Sequence, residues 1–370
     1  MKILITGAGG FVGKNMMAEL STHKDKEVLP FDIDTPKEQL KEYAKVCDFV
    51  LHFAGVNRPQ TEEEFMTGNC GFTGELIDAL KEAGNHCPVL MTSSIQAALD
   101  NPYGESKLAA ENLLFSYGKE CGVPVYVYRM PNMFGKWCRP NYNSAVATFC
   151  HNTAHGLPIT VTDPARMMEL VYIDDIMEEI FRAMDGNVQK DGDFCVMSPI
   201  HRILLGDLAE KIQSFPKARV SLQAIDMADP LTKKLYAAYL SYLPKDAFSY
   251  ELKMNVDARG SFTEFLKSTT MGQVSVNIAH PGIVKGNHWH HSKNEKFLVV
   301  AGKGVIRFKH FYEDEILEYP VDGTKLTVLD IPTGYSHNIE NTGDTDLVTL
   351  MWASEPFDPA HPDTFFLPLA

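Results

Sequence analysis

Met1-Lys2-Ile3-Leu4-Ile5-Thr6-Gly7-Ala8-Gly9-Gly10-Phe11-Val12-Gly13-Lys14 decides the fold of the first half of the chain. Met1–Thr6 is an apolar run of strand length, the glycines make a tight turn, and Phe11–Leu20 has the pattern of a helix. Gly7, Gly10 and Gly13 therefore form GxxGxxG between a strand and a helix. A glycine backbone turns sharply and admits a pyrophosphate. The helix N-terminus adds free N–H groups and the positive end of its dipole. Phe11, Val12 and Lys14 complete the candidate cofactor cradle. A carboxylate that reads the ribose is expected about 20 residues further on, after the second strand. Asp32 in Phe31-Asp32-Ile33-Asp34 occupies that place. Its charge accepts hydrogen bonds from ribose hydroxyls and repels a 2′-phosphate, which favours NAD(H). Lys14 can pair with a 2′-phosphate, or be no more than a solvated lysine on the helix face.

Working outward, strand-like runs at Val28–Phe31, Asp48–Phe53, Val89–Ser93 and Val125–Arg129 alternate with helical stretches at Thr73–Ala83 and Ser106–Gly118. This alternation predicts a doubly wound parallel sheet. Tyr103-Gly104-Glu105-Ser106-Lys107 gives YxxxK. Positions i and i+4 share one helix face, so the ammonium can lower the pKa of the phenol and fit it for proton transfer. Thr92-Ser93-Ser94 ends the preceding strand. Ser94 is the candidate that orients a substrate oxygen, although a strand-end cap also explains a serine there.

The pattern changes near Leu243-Pro244-Lys245-Asp246. Strand-like runs at Gln273–Ile278, Lys296–Val300, Gly304–His310, Lys325–Asp330 and Asp346–Trp352 predict an all-β barrel or sandwich. The domains expected are 1–245 and 253–370. His288-Trp289-His290, then Glu295, then Pro332-Thr333-Gly334-Tyr335-Ser336-His337, place imidazoles and a carboxylate at strand spacing. Residues i and i+2 face one side of a strand. His288, His290, Glu295 and His337 are thus candidate ligands for Zn2+ or another divalent metal.

These motifs carry family resemblances. The first ~240 residues are similar to the extended short-chain dehydrogenase/reductases acting on nucleotide sugars. His52-Phe53-Ala54-Gly55, Arg129-Met130-Pro131-Asn132-Met133-Phe134-Gly135 and Val171-Tyr172-Ile173-Asp174-Asp175 add to the likeness. It implies Tyr103 as proton donor, Lys107 as its tuner, Ser94 as orienter, Ala54 near the cofactor and Asn132 near the substrate. The Ser-to-Tyr gap is nine residues, where this family has more than 20. The histidine pattern resembles the cupin superfamily, a jelly-roll fold. Asp257-Ala258-Arg259-Gly260-Ser261-Phe262-Thr263-Glu264-Phe265 with Lys285-Gly286-Asn287-His288 resembles the sugar 3,5-epimerases of the dTDP-4-dehydrorhamnose type. That register implies Arg259 and Lys285 at the substrate and makes His288 a base, in rivalry with its place as a metal ligand.

Together the two halves resemble a family of bifunctional capsular polysaccharide enzymes over essentially the whole chain. The resemblance implies a UDP-2-acetamido-2,6-dideoxy-4-ketohexose, epimerised at C3 in the cupin domain and reduced at C4 in the Rossmann domain. The product implied is UDP-N-acetyl-6-deoxy-L-talosamine, a precursor of UDP-N-acetyl-L-fucosamine for capsule or O-antigen. NADP(H) is the cofactor the family implies, against the NAD(H) that Asp32 favours. A homodimer through the cupin domain is implied by analogy. Alternatives are a 4-epimerase or dehydratase that retains NAD, a cupin-side metal oxygenase, and a non-enzymatic dinucleotide or metabolite sensor.

Composition excludes other classes. The chain has 370 residues and a formal net charge of −14, so it is a poor match for the phosphate backbone of nucleic acid. It has no apolar run of ~18 residues, so no membrane span is expected. The start lacks a signal-peptide pattern. Seven scattered cysteines without CxxC spacing suggest reduced thiols and a cytoplasmic protein.

Overall fold

The structure, a computed structural model, describes residues 1–369. Its packing divides the chain into two units. One comprises Met1–Ser214 and Met227–Pro244; the other comprises Phe215–Asp226 and the chain from Lys245 onward. Residues 215–226 were expected in the first domain. They go with the second unit because Lys267 N–H donates to the Leu222 carbonyl and Ala224 N–H donates to the Lys267 carbonyl, each at 2.7 Å.

In the first unit the strands are β1 (Lys2–Thr6), β2 (Glu27–Phe31), β3 (Phe49–His52), β4 (Val89–Ser94), β5 (Val125–Met130), β6 (Asn132–Phe134), β7 (Met167–Tyr172), β8 (Lys190–Asp191), β9 (Phe194–Cys195) and β10 (His201–Leu204). One sheet has the order β2-β1-β3-β4-β5-β9-β8, and β10-β7-β6 form a second. The first sheet is parallel from β2 to β9, as the strand–helix alternation predicts. Both of its faces are covered, so its strands are apolar throughout rather than alternating. Ile3, Ile5, Leu51 and Leu90 face one core with Val12, Met16 and Ile176. Leu4, Val50, Val89 and Val127 face the other with Leu76, Leu80 and Leu114. The order steps outward from β1 in both directions. This opens a crevice at the carboxyl ends of the strands, where such sheets bind ligands.

The second unit contains β11 (Met254–Asp257), β12 (Gly260–Ser268), β13 (Gly272–Ala279), β14 (Val284–Trp289), β15 (Glu295–Ala301), β16 (Lys303–His310), β17 (Ile316–Asp322), β18 (Val328–Ile331), β19 (Tyr335–Asn341), β20 (Leu347–Ala353) and β21 (Phe365–Phe366). The sheets run β11-β12-β13-β20-β15-β18 and β17-β16-β19-β14-β21. The pairing within both is antiparallel. Phe297, Phe308, Ile306, Ile339 and Leu347 form the core of these sheets; the rest of the unit includes the helical end at residues 215–221. β18 starts at Val328 rather than Lys325. Asp322 first turns the chain by accepting from Thr324 N–H (2.8 Å) and, through its carbonyl, from Lys325 N–H (3.0 Å).

Candidate functional site

The first site is built on the turn after β1. Gly7 has φ +72°, and a Cβ there would lie 2.7 Å from Ala54 N. A Cβ on Gly13 would lie 2.1 Å from the Gly7 carbonyl. Both positions exclude side chains, and the turn leads into the helix Phe11–Leu20 with Gly10 as its N-cap. Val12 is buried in the core, whereas Lys14 is exposed on the helix. Asp32 follows β2 directly. Its carboxylate accepts from Gly9 N–H and from Ile33 N–H (2.8 Å), which pins it beside the glycine turn. Asp32 and the cradle therefore come together as the sequence predicts.

His52, in contrast, is structural. Its two ring nitrogens meet Thr6 Oγ1 at 2.7 Å and Thr73 Oγ1 at 2.9 Å. Burial, with the Lys107 charge nearby, pushes it down to about 3, so it is neutral.

Tyr103 and Ser94 meet because a single 3-10 turn, Ile95–Ala98, joins β4 to the helix Pro102–Cys121, whereas Lys107, one turn further along that helix, does not contribute to the shift of the Tyr103 phenol. That short connection is what the nine-residue gap encodes. Ser94 caps the turn by accepting from Gln96 N–H (3.2 Å). The Tyr103 phenol is raised by burial and pulled back by its hydrogen bond with Ser94. Ser94 is thus both cap and partner of Tyr103. Lys107 is buried beneath Gly55, with Nζ donating to the Thr92 carbonyl (3.2 Å). Burial pushes its ammonium down to about 8, with the Glu111 charge pulling it back up.

Glu111 is a residue that sequence reasoning missed. It is fully buried one turn beyond Lys107. It accepts from Ser93 Oγ (2.5 Å) and from Arg129 Nε (3.0 Å) and Nη2 (2.6 Å). The signal was a carboxylate at i+4 from the lysine, on the helix that carries Tyr103 and Lys107. Asn132 lies on β6 with its amide donating to the Glu169 carbonyl (3.1 Å).

The second site lies in the β-sheets of the second unit. Gly286 and Asn287, both at positive φ, make a bulge in β14, after which His288 pairs in register with His337 on β19. Glu295 opens β15 on the other sheet. The ligand atoms of His288, His290, Glu295 and His337 lie within 4.8 Å of one another. His290 and His337 are almost wholly buried. A cavity of about 360 Å³ is lined by His288, Glu295 and His337 and also by Asp257, Arg259, Lys285 and Lys293. His290 is not among its lining residues. Arg259 forks onto Asp257 at 2.6 and 3.0 Å. Lys285 Nζ donates to the Ile278 carbonyl (2.6 Å) and Asn277 Oδ1 (3.0 Å), and burial lowers its pKa. Burial and the neighbouring imidazoles push His288 down to about 4. The Glu295 carboxyl is raised by burial but held well below its usual range by His290 and His337.

The donor set fits a divalent cation. His290 Nδ1 faces the Asp363 carbonyl, which only accepts, so Nδ1 carries the proton. In the neutral ring, the form that binds a metal, its Nε2 then meets Glu295 Oε2 at 3.3 Å, lone pair against lone pair. His337 Nε2 lies 3.4 Å from the same oxygen, and neither of its buried ring nitrogens makes a hydrogen bond. A cation among these atoms resolves both conflicts.

Residues 3–196 match the NAD dependent epimerase/dehydratase family, and residues 255–365 match the polysaccharide biosynthesis C-terminal domain. The chain is 44% identical to UDP-2-acetamido-2,6-beta-L-arabino-hexul-4-ose reductase of Pseudomonas aeruginosa, over 99% of this chain and 98% of that protein. It is similar to the structure of capsular polysaccharide assembling protein CapF from Staphylococcus aureus, with a TM-score of 0.95, 51% identity and full coverage of both chains. A structure of CapF with inhibitor 3-isopropenyl-tropolone is similar at TM-score 0.90 and 46% identity, again with full coverage of both. Among the described residues no helix is long and apolar enough to cross a membrane.

Proposed function

The chain belongs to the NAD dependent epimerase/dehydratase family, and from that premise we propose that it is a bifunctional enzyme which epimerises and then reduces a UDP-2-acetamido-2,6-dideoxy-4-ketohexose. The product is UDP-N-acetyl-6-deoxy-L-talosamine, a precursor of UDP-N-acetyl-L-fucosamine. One observation carries the reading. A single chain holds a Ser–Tyr–Lys constellation at a glycine-rich cradle and a separate cavity lined by His288, Lys285 and Arg259. The near full-length likeness to a hexulose reductase supports the substrate class.

In the first unit Gly7, Gly10, Phe11, Val12, Gly13, Ala54 and Asp32 hold a nicotinamide dinucleotide. When bound, it supplies the hydride to C4. Tyr103 gives its phenolic proton to O4, and Ser94 holds that oxygen. The Lys107 ammonium stabilises the phenolate left behind. NADPH is the expected donor.

In the second unit His288, His290, Glu295 and His337 hold a divalent metal, zinc in the first instance. When bound, the ion supplies a fixed positive charge at the cavity wall. Lys285 and Arg259 would stabilise the enolate formed as a base at the cavity takes the C3 proton, and return of a proton to the opposite face of C3 completes the epimerisation. A second reading makes His288 the base. It is favoured by one observation: His288 is half-buried and lines the cavity, whereas His290 is buried and does not line it. The enzyme is a homodimer through its second unit, a reading supported by exposed Met254 and Val256 on edge strand β11.

The test is turnover of the UDP-4-keto sugar with NADPH and, separately, NADH, with the product identified by NMR coupling constants. Oxidation of one equivalent of cofactor to give the talo product is expected. No oxidation with either cofactor sinks the proposal.

A further inference from the structure

The last strand of the chain lies against the histidine cluster. β21, Phe365–Phe366, pairs with Trp289 and His288 of β14. Just before it, Asp363 makes two kinds of contact. Its carbonyl accepts from His290 Nδ1. Its carboxylate accepts from the N–H groups of His291 (2.8 Å), Ser292 (2.7 Å) and Lys293 (2.7 Å), and from Ser292 Oγ (3.0 Å). Thr364 Oγ1 accepts from Lys293 Nζ (2.9 Å). The 291–293 turn is the whole connection from His290 to Asn294 and Glu295. One side chain therefore fixes the turn that separates two members of the cluster, while the same residue's backbone sets the tautomer of one of them.

We propose that Asp363 is a positioning residue for the metal centre of the second unit, and that the C-terminal segment is part of that centre. A carbonyl cannot donate, so it keeps the proton of His290 on Nδ1 and presents the Nε2 lone pair to the ion. A carboxylate saturated by three backbone N–H groups and a hydroxyl holds the carbonyl in place. Partners of this kind fix ring orientation, and their loss typically weakens metal affinity about 10–100-fold. The inference rests on the metal reading given above.

The experiment measures zinc affinity of the full-length protein by chelator competition, with Co2+ absorption as a second readout. It compares wild type, Asp363→Ala, Asp363→Asn and Asp358→Ala. Asp358 lies on the same segment but accepts only from Ala360 and His361. Asp363→Ala is expected to bind zinc about 10–100-fold more weakly and to alter the Co2+ spectrum. Asp358→Ala should match wild type. Asp363→Asn keeps an acceptor but turns an NH2 group towards the N–H cluster, so an intermediate loss is expected. It also serves as the test should Asp363→Ala fail to fold. Wild-type affinity in both Asp363 variants overturns the inference and leaves the metal reading standing. A wild type that binds no zinc or Co2+ overturns the metal reading itself.

Discussion

Replacing Lys107 by methionine should stabilise the first unit while abolishing reduction. The buried ammonium falls from 10.5 to about 8. At about 1.4 kcal/mol per tenfold change, keeping it charged at pH 7 costs about 3 kcal/mol of folding free energy. Methionine removes that cost but loses the hydrogen bond to the Thr92 carbonyl, worth about 1–2 kcal/mol. The net gain is about 1–2 kcal/mol, or a rise in Tm of about 2–8 °C for a unit of this size. The sign with pH is fixed by linkage. The folded pKa lies below the unfolded one, so the unfolded chain binds more protons between pH 8 and 10.5. The penalty is complete below pH 8 and fades above it. The advantage of Lys107→Met must therefore shrink as pH rises through that interval. Calorimetry at pH 7 and pH 10 checks this, with the transition of the first unit identified by its shift on adding NADPH. Reductase activity should fall at least about 100-fold. A variant less stable than wild type at pH 7, or a gain unchanged at pH 10, refutes the reasoning.

Three further outcomes are expected. Gly13→Ala puts a Cβ 2.1 Å from the Gly7 carbonyl, so calorimetric titration should show loss of NADPH binding while deuterium exchange into the sugar persists. Asp32→Ala removes the carboxylate beside the glycine turn and should shift kcat/KM at least about 10-fold from NADH towards NADPH, measured with both cofactors. Glu111→Ala leaves Arg129 without its ion-pair partner and Ser93 without an acceptor; a loss of about 3–5 kcal/mol should appear as a lower calorimetric Tm of the first unit.

The fold was legible where one residue type admits one explanation. Gly7 and Gly13 are glycines because the backbone approaches within a Cβ's reach, and a strand–turn–helix follows from that. The parallel strands are apolar on both faces, and their runs stand out. The histidine cluster was legible because His288, Glu295 and His337 lie on strands β14, β15 and β19; His290 joins them from just past the end of β14, where the Asp363 carbonyl holds it. What was hidden depends on tertiary register. Glu111 could not be told from a surface glutamate until β4 and β5 brought Ser93 and Arg129 against it. Asp363 lies about 70 residues from His290, and no local pattern links them. Residues 215–226 join the second unit through two backbone hydrogen bonds to Lys267, which no side-chain pattern announces.

The central claim is that two chemistries reside in separate sites of one chain, and Tyr103→Phe separates them most directly. The variant is placed in deuterated water with the UDP-4-keto sugar, without nicotinamide, and then with NADPH. Deuterium should enter at C3 at the wild-type rate, and NADPH oxidation should be at least about 100-fold slower than wild type. Loss of deuterium exchange in this variant, or reduction at the wild-type rate, contradicts the account.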